Sequence, residues 1–486
     1  MIESWGMNNG LVFNPDKTQA MLVTNRRKFV LPTLVLSGHS INIVRCIKIL
    51  DVLIDSKLTW NDHIDHIKSK VFKIYNIIRR KYGSKWGLSY DVLRTIYLQA
   101  IEPIILYACP VWNDILNHST KCSRLLSLQR TFAISIIRAY RTVSLEASLV
   151  IANIPPIDLK IQYFSRIFAI KNNLSSSSFH SYQLPISYAD TVHPARVNID
   201  LGNFCFQNHV LSIYTDGSKF DEQVGASVVI FSGTENRIPF RIMTFRLPNN
   251  CSVFQAELFA IFKAISWLAD NNISSAKIFS DSKSAIFSIQ NIYSTNVFVQ
   301  DIFRKLNNYD GHCCIVWIEA HSGNFGNELA DYYAKLATVS TSITNCAIPL
   351  SFAHNELKSQ LFYNWQCIWS SSSNGAITRM FFPTIKHRLI STIVPSFIVS
   401  QFLTNHGKFN EYFHRFNING NASCECGESS QSSIHIVRKC NRFAQERFIL
   451  EMTCGLNLND NLPSFVCDPN AVHLFTGFLF HIYNCL

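Results

Sequence analysis

Between residues 211 and 338 the spacing of apolar side chains switches repeatedly between the period of a strand, two, and that of a helix, about 3.6. Leu211 to Thr215 alternates like a half-buried strand, and Asp216 followed by Gly217 stands where that strand is expected to stop. Gly225 to Phe231 and Phe240 to Leu247 read as two further strands, which suggests an antiparallel meander. From Ser252 to Asp270 the period becomes helical, with Phe254, Leu258, Ile261, Ile265 and Leu268 on one stripe. Ser252 is the expected N-cap of this helix and Asn271 with Asn272 its stop. Ala276 to Ser280 returns to a strand, Ser284 to Ile292 and Val297 to Asn307 predict helices, Cys313 to Ile318 a last strand, and Gly326 to Thr338 a last helix.

Four acids sit in this pattern, each in its own context: Asp216 within Ile213 to Lys219, Glu257 within Gln255 to Ala260, Asp281 within Ile278 to Ser282, and Asp331 closing the stretch from His321. Singly, each has an ordinary reading as a turn residue, a solvated helix face or an N-cap. Together, at strand ends and on helices beside a sheet, they can converge, and the chemistry that needs four carboxylates is metal-assisted phosphodiester hydrolysis. The constellation resembles type 1 ribonuclease H.

That resemblance implies an α/β, ribonuclease H-like mixed five-stranded sheet with flanking helices over residues 207–340. It further implies that Asp216, Glu257, Asp281 and Asp331 hold two Mg²⁺ ions, for which Mn²⁺ can substitute, and that the RNA strand of an RNA·DNA hybrid is hydrolysed. Hard oxygen donors favour these ions over zinc. His321 opens a Gly-rich loop and by the same resemblance assists proton transfer or product release. Selectivity for RNA is expected from 2′-hydroxyl contacts, with Asn324, Asn327 or the stretch Ser252 to Gln255 as candidates.

The flanks are too long to be linkers. Residues 10–24 read as strand, turn, strand, and Ile47 to Asp55 resembles the primer-grip region of a non-LTR retrotransposon reverse transcriptase, with Asp51 where that family has glycine. Lys17, Trp60, His63 and the stretch Tyr107 to Trp112 extend the resemblance to a palm tail over 1–60 and a helical thumb over 61–200. The chain contains no Asp-Asp pair, so polymerisation by this chain alone is not expected. Residues 1–200 hold 24 Lys+Arg against 13 Asp+Glu, residues 201–350 hold 10 against 12, and residues 351–486 hold 10 against 8. The positive excess therefore lies upstream of the nuclease. Lys68, Lys70, Lys73, Arg79, Arg80, Lys81 and Lys85, interleaved with Tyr75, Tyr82 and Trp86, predict a helix that tracks a nucleic-acid backbone; the ordinary alternative is a solvated basic face with core aromatics.

Downstream, Cys424, Cys426, His435 and Cys440 have the spacing C-x-C-x8-H-x4-C, enough for a tetrahedral Zn²⁺ site in a small helical domain over 341–486. This stretch resembles the cysteine–histidine module that follows ribonuclease H in jockey-like elements. Composition adds exclusions: 48% hydrophobic residues and 36 Phe rule out a disordered chain. No apolar run reaches the ~18–20 residues of a membrane span, so no membrane partner is expected. Fifteen cysteines without a signal-peptide pattern predict reduced thiols and an intracellular protein, nuclear or cytoplasmic and not secreted. The reading is a 5′-truncated retrotransposon polyprotein that cuts hybrids; the alternative is a nucleic-acid-binding remnant of one, without catalytic activity.

Overall fold

A computed structural model describes residues 2–24, 26, 28–80, 87–174, 182–197, 200–201, 211–232, 238–418 and 420–486. The chain divides into two compact units, one formed by residues 1–168 together with 358–486, the other by residues 169–357.

The second unit is built on a mixed sheet. Strands β1 (Leu211–Phe220), β2 (Gln223–Ser232) and β3 (Arg241–Leu247) form the antiparallel meander, and β4 (Ser275–Ser280) and β5 (His312–Trp317) add in parallel on the other side of β1. The order is β3-β2-β1-β4-β5, and a two-residue strand, Asp200–Leu201, joins the β5 edge in parallel. Helices α1 (Val253–Asp270), α2 (Lys283–Gln290), α3 (Val297–Asn307) and α4 (Phe325–Thr338) complete the unit.

Alternation along β2 shows how the layers form. Val224, Ala226, Val228 and Ile230 pack into a core with Leu258, Ile261, Ile265 and Leu268 of α1, while Val229 and Phe231 pack with Ala330 of α4. Both faces of β2 are thus covered, and Ser227, fully buried between them, donates its hydroxyl to the Ala330 carbonyl at 2.6 Å. The α1 start is fixed by a reciprocal capping box: Gln255 N–H donates to Ser252 Oγ and Ser252 N–H to Gln255 Oε1. Ser252 and Gln255, both within the stretch expected as a candidate for substrate contact, thus form this cap.

The first strand does not stop at Asp216; it runs on to Phe220, with Asp216 opposite Ser227 in mid-ladder. The turn comes at Asp221 and Glu222, both at positive φ (44° and 63°), the pair of left-handed residues a two-residue hairpin demands. Gly217 serves another purpose. A Cβ there would stand 2.6 Å from the Glu257 backbone nitrogen, so its absence lets α1 settle onto β1.

In the first unit, the segments expected as a separate thumb (61–200) and carboxy-terminal domain (341–486) share one core. Tyr97, Trp112, Phe132 and Ile151 belong to the same cluster as Trp369, Phe381, Phe402 and Phe475. Buried Arg388 seals the junction, donating to the Ile151 carbonyl and to Tyr90 Oη, each at 3.0 Å. Residues 10–24 do not form strand, turn and strand: only Gln19–Ala20 is extended in a ladder, in parallel with Asn42–Ile43. Cys46–Ile49 and Val52–Asp55 do form a hairpin, and Asp51 in its turn has φ 70°, a conformation that favours glycine. Among the described residues no single helix is long and apolar enough to cross a membrane. Among the described residues thirteen cysteines are free and Cys314 is disulfide-bonded, an exception to the expected reduced thiols.

Candidate active site and metal centres

Three of the four acids meet. Carboxylate oxygens of Asp216 on β1, Glu257 in the second turn of α1 and Asp281 just beyond β4 all lie within 4.8 Å of one another. Asp216 and Glu257 are each only 6% exposed, and Glu257 Oε2 is buried with no hydrogen-bond partner. Burial raises the Asp216 carboxyl to about 7, with Asp281 and Asp331 adding to the shift. Glu257 is pushed well above the ordinary carboxylate range, first by burial and then by Asp216 and Asp281. Like charges this close and this dry do not ionise together unless a cation joins them.

The fourth acid stands apart. Asp331 lies outside the three-carboxylate set, close enough for its charge to act on Asp216 and Glu257, and its Oδ2 is 2.6 Å from Lys335 Nζ one turn along α4. Four residues before it, Asn327 donates its side-chain amide to Asp281 Oδ2 at 3.0 Å, and its own Oδ1 is buried without a partner. Asn327 and Lys335 were not assigned to the acid cluster on sequence, yet the i±4 spacing about Asp331 placed both on its helix face. Asn324, a candidate for substrate contact, caps α4, its Oδ1 accepting from the Gly326 and Asn327 backbone at 3.1 and 3.4 Å. The indole of Trp317 donates to the Asp281 carbonyl at 3.1 Å and steadies the turn after β4. His321 is exposed, at φ 53° in the loop before α4, and is not a member of the carboxylate group.

The donor set suits a hard divalent cation. It supplies several carboxylate oxygens, one of them buried and unsatisfied, and no sulfur or nitrogen ligand.

A second cluster lies in the other unit. Cys424, Cys426, His435 and Cys440 place one ligand atom each within 4.8 Å of one another, with Cys424 Sγ 3.7 Å from Cys440 Sγ and Cys426 Sγ 3.2 Å from His435 Nε2. A tetrahedron with metal–sulfur bonds of about 2.3 Å has sulfur–sulfur edges of about 3.8 Å, so the spacing fits zinc. Gly427, at φ 95°, makes the turn after the first two cysteines, and His435 rides on the short helix Ser433–Arg438 capped by Ser432. Burial lowers the His435 imidazole, favouring the neutral form a metal requires, and raises the Cys440 thiol to about 11.

The basic helix is present as Asn61–Arg79. Lys68, Lys73, Arg79 and Arg80 are exposed, whereas Lys70 is paired with Asp51. Tyr75 is turned inward, its ring 5.1 Å from Phe132 and its hydroxyl 3.0 Å from Ser135 Oγ, so it is core rather than a stacking platform. Lys81 and Lys85, with Tyr82 and Trp86, lie outside the described residues.

The family model described as RNase H matches residues 208–339. Residues 208–339 are a ribonuclease H domain. The chain is also 28% identical over 174 residues to the putative 115 kDa protein in type-1 retrotransposable element R1DM of Drosophila melanogaster, covering 36% of this chain and 17% of that protein. It is 30% identical over 127 residues to a Pol polyprotein from element R1 4 of Nasonia vitripennis, 26% of this chain and 32% of the relative. A Pol polyprotein from element R1 of Popillia japonica is 26% identical over 221 residues, 43% of this chain and 83% of the relative. The chain is therefore related to Pol polyproteins of type-1 retrotransposable elements, and it spans less than a third of the length of the first two. Among solved structures, LC11-RNase H1 in complex with an RNA/DNA hybrid matches at 19% identity and TM-score 0.23, over 26% of this chain and 96% of that one. The ribonuclease H domain thus carries the three-carboxylate cluster, and the cysteine–histidine cluster lies outside it.

Proposed function

We propose that the ribonuclease H domain hydrolyses the RNA strand of RNA·DNA hybrids with two divalent ions, Mg²⁺ or Mn²⁺, held by Asp216, Glu257, Asp281 and Asp331. The observation that carries this reading is the convergence of three carboxylates, two of them buried, with one buried oxygen unsatisfied. When bound, the ions would activate the attacking water and stabilise the leaving oxygen. The chain's own part is to hold this donor set in place before the metal arrives. Gly217 lets α1 bring Glu257 against β1, Asn327 orients the Asp281 carboxylate, and Trp317 anchors the Asp281 backbone. His321, exposed on its loop, is free to approach the site and move a proton to or from the product.

Two further assignments support the same role. Lys68, Lys73, Arg79 and Arg80 would contact phosphate, with a sequence-independent, salt-sensitive contribution to binding. Cys424, Cys426, His435 and Cys440 would hold a structural Zn²⁺.

A binding-only reading has one observation in its favour: Asp331 is paired with Lys335 and stands outside the three-carboxylate set. One assay separates the two. The full chain is expected to cut a labelled hybrid in Mg²⁺ or Mn²⁺ while sparing single-stranded RNA and duplex DNA, and Asp216→Asn to reduce cleavage to background. Binding of the hybrid without cleavage in either ion would favour the binding-only reading.

A further inference from the structure

The acid cluster includes a cation of its own. Helix α4 carries Asn327, Asp331 and Lys335 at successive four-residue steps, so all three share one face. Asn327 delivers its amide to Asp281, and Lys335 delivers its ammonium to Asp331 at 2.6 Å. The ammonium also acts on Asp216, which lies within the three-carboxylate set. One lysine therefore neutralises charge between the acid that is set apart and an acid of the converged group. Its side chain is 58% exposed, so it can leave without breaking any packing.

We infer that Lys335 is a built-in competitor for the second ion: it occupies the Asp331 side of the cluster in the metal-free protein and is displaced when an ion is held there. This rests on the metal-nuclease reading above. Loading is then unequal. The Asp216–Glu257–Asp281 set accepts an ion without moving a lysine, whereas an ion shared with Asp331 must first break the Lys335 pair. An exposed pair of this kind is weak, so it sets a threshold of up to about fivefold in affinity rather than a block. The free ammonium is afterwards available to a substrate phosphate.

The test is Mg²⁺ titration of the full chain by calorimetry, because Mg²⁺ avoids the thiolates of the other cluster. Wild type is expected to bind one ion tightly and another more weakly. In Lys335→Met and Lys335→Gln the weaker class should tighten by about fivefold, while Lys335→Arg keeps the wild-type pattern. Lys305→Met makes the same charge change beside Asp270, near the start of β5 rather than the Asp281 end of the sheet, and should alter neither class. Equal weak-class affinity in wild type and both neutral variants, or an equal shift in Lys305→Met, would overturn the role of Lys335 alone. No Mg²⁺ binding by wild type or variants would overturn both this inference and the metal-nuclease reading.

Discussion

The two candidate metal centres differ in what holds their ligands. Asp216, Glu257 and Asp281 project from a strand, a capped 18-residue helix and a strand end, all tied to one sheet. Cys424 and Cys426 sit in a loop, His435 on a six-residue helix and Cys440 just after it. The first centre is a rigid frame that concentrates charge its own packing opposes; the second is a set of thiol and imidazole ligands on a loop and a short helix, with Cys424 and Cys440 packed into the core of their unit. Metal should therefore act on the chemistry of the first and on the folding of the second.

The largest expected effect follows from that contrast. Binding free energies of structural zinc in zinc-finger peptides are about 10–16 kcal/mol, which here would be drawn on to order residues 424–440. Chelation should release one zinc per chain and speed amide exchange across 424–440, while β1 and β2 keep their protection. A chain purified without zinc, or equal protection before and after chelation, would break the comparison.

Next in size is the loss of a positioning group in the rigid frame. Asn327→Ala removes the amide that orients Asp281 and leaves the fold's core untouched, so hybrid cleavage should fall by about 10–100-fold. Thermal stability should change far less. An unaltered rate would show that Asp281 needs no second partner.

pH sharpens the comparison because the two units carry buried groups of opposite sign. Burial and His66 hold the His63 imidazole down to about 4, against an ordinary value of 6.5, in a site 1% exposed between Trp60 and Trp112. Its contribution is complete above pH 6.5 and lost as pH falls through about 4, a change on the order of 3 kcal/mol. Asp216 behaves in reverse: its carboxyl is raised from 3.8 to about 7, so without metal its contribution is complete below about 4 and lost as pH rises through 7. In metal-free protein, acidification from pH 7 to 4.5 should weaken exchange protection of the helix 61–79 and strengthen that of β1. Parallel changes would mean that neither buried group governs its unit. Added Mg²⁺ should abolish the β1 trend and spare the helix.

The smallest effect concerns the basic helix and phosphate. Exchanging Lys68, Lys73, Arg79 and Arg80 for Gln should flatten the dependence of log Kd on log[salt] for hybrid binding, by at most roughly one unit for each phosphate that is no longer neutralised. An unchanged slope would make this helix a solvated face.

Much of the nuclease was legible in its sequence because its elements are local. Apart from β1, which runs on to Phe220, every strand and helix from 211 to 338 was readable to within about two residues, and Ser252 caps α1 as its position before the apolar stripe implied. What could not be read depended on tertiary partners. Gly217 looked like a turn because Asp-Gly usually is one, whereas here the missing Cβ serves the approach of α1, and the hairpin turns at Asp221 and Glu222, which carry no glycine. The shared core of the flanks left no periodic signal, since Arg388 meets Ile151 across 237 positions of sequence. The Lys335 pair was legible in principle from its spacing, but two residues of opposite charge a turn apart read as an ordinary surface pair.

The converged carboxylates are proposed to serve hydrolysis rather than stability. The most direct measurement is cleavage of a strand-labelled RNA·DNA hybrid by the full chain in Mg²⁺, beside Asp216→Asn, with thermal unfolding of both proteins recorded metal-free at pH 7. Cleavage of the RNA strand by wild type only is expected, with an Asp216→Asn protein at least as stable, because the variant removes a buried charge its surroundings oppose. Equal cleavage by both proteins, or a wild type inert in Mg²⁺ and Mn²⁺, would contradict it.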